Sequence, residues 1–133
     1  MSFYIWEQEN IPVVKVGMSW KPEKRIKSTD HWFKPIFIRI YQITNSYNLT
    51  LKDLDKIIKE KFKHLNMRNN STATEFYNKQ IVEELDYFFC CLKTGNYIDY
   101  VKFTTLSEYL NNKVDLDYHI EYDLKYEDTT YEE

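Results

Sequence analysis

The run LTLKDLDKIIKEKFKHL, residues 49–65, limits the possible folds more than any other stretch, because it specifies a helix with a single apolar face. Thr50 and Asp53 have capping-box spacing, and Leu49 and Leu54 occupy the two staple positions around it, so a helix is expected over 51–65. Leu51, Leu54, Ile58, Phe62 and Leu65 line one side of it. Lys52, Lys56, Lys59 and Lys63 line a second side about 120° away, at about 100° of rotation per residue. One side therefore packs and the other is basic. The basic stripe reads either as ordinary solvated surface or as a row facing phosphates.

The rest of the chain supplies strands for that helix to cover. Phe3-Tyr4-Ile5-Trp6 and Val13-Val14-Lys15-Val16 are β-prone runs around a polar turn, which predicts an N-terminal hairpin whose second strand ends at Gly17. Pro22 suits a first helical turn, giving a short helix over 22–29, and Phe37 to Ile43 reads as a third strand. Ile81, Leu85, Phe88 and Leu92 recur at helical spacing, predicting a helix over 79–92 with Gly95 as its C′ residue. Cys90 and Cys91 fall inside that apolar run and are expected in the core, in a reducing compartment. Residues 97–103 are ambiguous between strand and loop, and Thr105 with Glu108 caps a short helix over 106–112.

Beyond that helix, Val114, Leu116, Tyr118, Ile120, Tyr122, Leu124 and Tyr126 alternate with polar residues that are mostly acidic, the period of a half-buried strand. At about 13 residues this run exceeds the usual 5 or 6, so it bends, pairs with 97–103, or crosses to a second subunit as a dimerisation arm. His119 lies on its polar side and reads as a surface residue, and the final EDTTYEE reads as a disordered tail.

Charge divides the chain in two. Residues 1–113 hold 17 Lys and Arg against 13 Asp and Glu, whereas residues 114–133 hold one Lys against eight acids. Within the first part, residues 21–68 concentrate 12 bases against 5 acids, a balance that attracts polyanions. With 133 residues, one core is expected. No window has the apolar length of a membrane span, and the N-terminus lacks the features of a secretory signal, so an intracellular setting is expected, in cytoplasm or nucleus.

Taken in order, FYIW, then Lys15-Val16-Gly17, then Arg25, then Thr74-Glu75-Phe76-Tyr77 resemble the GIY-YIG nuclease superfamily, in particular its divergent branch with a KIG-like second motif found in phage and large-virus proteins. The resemblance covers about residues 3–92 and implies an α+β fold: a small three-stranded antiparallel sheet in β-β-α-β-α-α order, flanked by helices. The domain would end near residue 95, and 96–133 would form a C-terminal extension with the acidic strand.

The resemblance also implies roles. Tyr4 would help activate the attacking water, with Lys15 as the cation that lowers its pKa from about 10; the two would lie within about 5 Å if they face each other on paired strands. Arg25 would clamp phosphate oxygens, and Glu75 would be the single carboxylate holding Mg²⁺ or Mn²⁺. Gly17 would turn the backbone sharply and let a phosphate approach. Lys24 and Lys27, with Lys52, Lys56, Lys59 and Lys63, would hold the backbone of DNA.

Glu75 has a second reading, because Thr72 to Glu75 is itself a capping box. The family's further histidine or tyrosine and its helix asparagine have only His31 and Asn78 as counterparts. The alternative to a nuclease is a catalytically silent module on the same fold, binding nucleic acid or protein and assembling through its acidic strand.

Overall fold

The computed structural model describes residues 1–8, 12–28, 35–67 and 76–115. Five strands form one antiparallel sheet: β1 (Ser2–Gln8), β2 (Val13–Ser19), β3 (Pro35–Ser46), β4 (Phe76–Asn78) and β5 (Ile98–Phe103), in the order β4-β2-β1-β3-β5. Four helices accompany it: α1 (Pro22–Ser28), α2 (Leu51–Lys61), α3 (Ile81–Thr94) and α4 (Leu106–Asn112). The α+β class expected from the sequence holds, but the sheet has five strands where three were expected. The two additional strands are its edges. One is the tripeptide FYN of β4, and the other is β5, which makes residues 98–103 a strand and joins them to the same sheet as the hairpin.

Both faces of the sheet are covered, which is why β1 is buried without alternation from Ser2 to Trp6. On one face Phe3, Ile5, Val14, Val16, Met18, Tyr41 and Ile43 meet α2 and α3 through Leu51, Leu54, Ile58, Ile81, Leu85 and Phe89. On the other face Tyr4, Trp6, Ile40 and Phe103 meet α1 through Ile26 and α4 through Tyr109. Phe89 lies at the centre of an aromatic group, with ring centroids 4.6 Å from Tyr41, 5.4 Å from Phe3 and 5.5 Å from Tyr100. Above it the Tyr41 hydroxyl donates to Asp86 at 3.0 Å, and Lys102 donates to the same oxygen at 3.1 Å. Burial pushes the Tyr41 phenol well up from its usual range. Burial also works against the Asp86 charge, but the hydrogen bonds from Lys102 and Tyr41 outweigh it and hold that carboxyl below its usual value.

Several local expectations hold and several change. Thr50 Oγ1 accepts from the Asp53 amide at 3.1 Å, and Thr105 Oγ1 from the Glu108 amide at 3.0 Å, as their spacing predicts. The α-helix begun at Thr50 stops at Lys61, and the chain tightens into a 3₁₀ turn over Lys63–Leu65. Gly95 is not the left-handed residue after α3; Asn96 is, with φ 64°, and the Tyr97 amide donates back to the Leu92 carbonyl at 2.9 Å. Cys90 and Cys91 are exposed rather than core, because α3 buries Ile81, Leu85 and Phe89 at four-residue steps and carries 90 and 91 around to the solvent side. Gly17 does not end β2. It lies inside the strand, which continues to Ser19. No helix among the described residues is long and apolar enough to cross a membrane. The tail from residue 116, His31, and the Thr72–Glu75 capping box lie outside the described residues.

Candidate functional site

The strand pairing decides which of the expected site residues meet. Tyr4 is centred on β1, opposite Gly17 of β2 on one side and Ile40 of β3 on the other. Its ring lies directly over Gly17: a Cβ added there would be 2.5 Å from Tyr4 Cζ and 2.9 Å from Cε1. The absent side chain is thus the space the phenol occupies, and this replaces the sharp-turn role expected for the glycine. Tyr4 also stacks on Trp6, ring centroids 5.1 Å apart and 19° from parallel, and only 1% of it reaches solvent.

Lys15 does not face Tyr4. Its partner on β1 is Trp6, and its partner on β4 is Phe76. The ammonium lies 5.9 Å from the Trp6 ring centroid and 5.3 Å from that of Phe76, a cation held between two aromatic rings. Tyr4 and Lys15 share a face of the sheet two residue pairs apart, so the expected approach of about 5 Å becomes a diagonal relation of about 7–8 Å between residues.

Arg25 lies half-buried on α1, next to Ile26, whose side chain packs into the Tyr4 layer. Lys24 and Lys27 are exposed on the same helix. Glu75 lies outside the described residues, and its neighbour Phe76 is the residue paired with Lys15. Asn78 Oδ1 accepts from the Gln80 amide at 2.8 Å, which makes it a turn residue at the end of β4. Lys79, just beyond, pairs with Glu7 of β1 at 3.0 Å and ties this corner of the sheet together.

Lys52, Lys56 and Lys59 are exposed on α2, and Lys63 on the 3₁₀ turn that follows it; α2 packs on the opposite face of the sheet from Tyr4. Lys59 pairs with Asp55 at 3.0 Å and Lys63 with Glu60 at 3.3 Å. The stripe and the Tyr4 face are therefore separate surfaces.

Two residues that sequence reading missed belong to the Tyr4 layer. Glu23 of α1 buries its Oε1 without a hydrogen-bond partner among the described residues. Tyr109 of α4 reaches the same region, where burial, reinforced by the Glu23 charge and opposed by a hydrogen bond with Ser2, pushes its phenol up to about 12. Nothing in the local sequence marks either residue, because α1 and α4 are far apart in the chain and meet only over the finished sheet. Among the described residues no group of three or more His, Cys, Asp or Glu gathers as a metal cage.

No family model matches the chain, and none of the curated proteins or solved structures searched matches it. The fold and the corner around Lys15 are what define its class: a small α+β protein with a five-stranded antiparallel sheet and helices on both faces.

Proposed function

We propose that the chain is a GIY-YIG-type endonuclease that hydrolyses phosphodiester bonds in DNA with Mg²⁺ or Mn²⁺. The observation that carries this reading is the β4-β2-β1 register. Three motifs separate in sequence converge on one corner: Tyr4 on Gly17, Lys15 on Trp6, and Phe76, the residue after Glu75, on Lys15. Supporting it, α1 carries Arg25, Lys24 and Lys27 on the same layer as Tyr4.

In this reading Lys15 and Arg25 bind phosphate oxygens and offset the charge that builds during displacement. Glu75 is the metal-binding carboxylate, and a metal bound there would supply charge neutralisation and an acidified water. A site with one protein carboxylate suits Mg²⁺, which keeps several waters of its own. Tyr4 is assigned the water-activating role; because its ring is buried against Gly17 and Trp6, that role also requires its hydroxyl edge to be reached from the Lys15 side.

Incubation of purified protein with supercoiled plasmid and Mg²⁺ or Mn²⁺ is expected to yield nicked or linear DNA. Glu75→Ala should abolish cleavage, and Arg25→Ala should lower its rate about 10²–10³-fold, with unchanged circular dichroism in both. Cleavage by Glu75→Ala at the native rate would refute the proposal. A protein that binds DNA but never cuts it would favour the silent binding module on the same fold.

A further inference from the structure

β5 is an edge of the sheet: β3 pairs with one side of it, and no described strand pairs with the other. A six-residue edge with no strand beside it is a template for another strand, although the Tyr100 carbonyl on it already accepts from the Lys93 ammonium at 3.4 Å. The surroundings of this edge differ on its two sides. On the α4 side, Val101 and Leu106 pack at the margin of the Tyr4 cluster, and Leu110 is 47% exposed one turn further along α4. Tyr109 points from α4 toward Ser2 and Glu23, and Leu110 lies about 100° further around the helix. Leu110 is therefore on a different side of α4 from the buried Tyr109, open to solvent. On the α3 side the same edge carries two lysines: Lys93 lies 5.1 Å from the Tyr100 ring centroid, and Lys102, 39% exposed, pairs with Asp86 at 3.1 Å.

A strand suited to this edge is apolar on the side of Val101 and Leu106 and carries acids on the side of Lys93 and Lys102. The chain contains one with that pattern. Residues 116–126, outside the described part, alternate Leu116, Tyr118, Ile120, Tyr122, Leu124 and Tyr126 with Asp117, His119, Glu121, Asp123 and Lys125.

We propose that the open edge of β5 receives residues 116–126 of a second copy of this chain, with the apolar row against Leu106 and Leu110 and the acids toward Lys93 and Lys102. A second copy is chosen over the chain's own segment because of where the described part ends. The Gln42 side chain holds Val114 at both peptide groups, accepting from its amide at 2.9 Å and donating to its carbonyl at 2.7 Å. Gln42 is the register partner of Val101, the fourth of the six β5 residues, so the chain leaves opposite the middle of its own β5. From there its own edge offers about 10 Å of strand in either direction, at about 3.3 Å per residue, whereas a second copy offers the edge from end to end. The inference is independent of the nuclease reading.

Light scattering on the full-length chain tests it. The native protein is expected to be dimeric at about 100 µM, a range in which even micromolar association is complete. Leu110→Asp, at an exposed acceptor position, and Ile120→Asp with Leu124→Asp, in the donor segment, should each shift it to monomer while the chain stays folded by circular dichroism, with a thermal midpoint that no longer rises with protein concentration. Lys93→Glu should weaken the dimer at least several-fold. A native chain that is monomeric at that concentration overturns the proposal, including the case in which the segment returns to its own β5. Dimers that survive both Leu110→Asp and the Ile120→Asp, Leu124→Asp pair also overturn it.

Discussion

At Gly17 the fold and the candidate site depend on a single missing Cβ. Because the Tyr4 ring occupies that space, Gly17→Ala forces the ring or the strand to move and is expected to cost about 1–3 kcal/mol. Tyr4→Ala, removing a buried aromatic, is expected to cost about 3–5 kcal/mol. In the double variant the new methyl enters the space the ring has left, so the combined loss should fall short of the sum by about 1 kcal/mol or more. Urea unfolding of the four proteins measures this. Strict additivity would mean that the glycine serves the backbone rather than the ring. The scarcity of glycine in this chain made position 17 conspicuous in the sequence, yet its reason was not legible there. It depends on which residue of a strand 13 positions earlier lies opposite, and a shift of one pair would have put Phe3 or Ile5 there instead.

Elements were legible where their signals are local. The N-caps of α2 and α4 form hydrogen bonds across three residues, and both were readable from Thr50-Asp53 and Thr105-Glu108. Thr50→Ala is accordingly expected to cost about 1 kcal/mol. At the other end of α3, Asn96 takes the left-handed conformation that Gly95 was expected to take. Asn96→Gly should then be neutral or stabilising by up to about 1 kcal/mol, and Asn96→Val destabilising by at least as much, since a β-branched residue tolerates positive φ poorly. Thermal unfolding of the three variants checks both ends of the argument. β4 escaped the sequence because three residues carry no period. It exists only because β2 offers an edge, and the Asn66–Tyr77 bridge brings in the chain leaving α2. The exposed cysteines were misplaced for a related reason: the apolar run LDYFFCCL is continuous, and only the packed helix shows that Phe89, not its successors, faces the core.

At the scale of the molecule, what the sequence could not show is sidedness. The periodicity of α2 marked a basic stripe, and the motif order marked Tyr4, Lys15 and Arg25, but nothing in either says on which face of the sheet a helix lands. α2 and α3 cover one face, α1 and α4 the other, so the two basic surfaces are separated by the thickness of a three-layer molecule. With packed layers about 10 Å apart, this is about the width of a DNA duplex, and one duplex cannot lie against both. If phosphodiesters are cut at the Lys15 corner, the backbone contacts must come mainly from α1. Reversing Lys24 and Lys27 to Glu should therefore weaken binding to a short duplex and reduce the slope of log K against log salt by about 1.8, the release expected from two phosphate contacts. Reversing Lys52 and Lys56 changes the net charge by the same amount on the opposite layer, and it should leave the slope nearly unchanged. Fluorescence anisotropy across about 50–200 mM salt separates the two. Equal losses from both pairs would show that net charge alone governs binding. A larger loss from the α2 pair would move the nucleic-acid surface to the Phe3 face of the sheet and away from Tyr4.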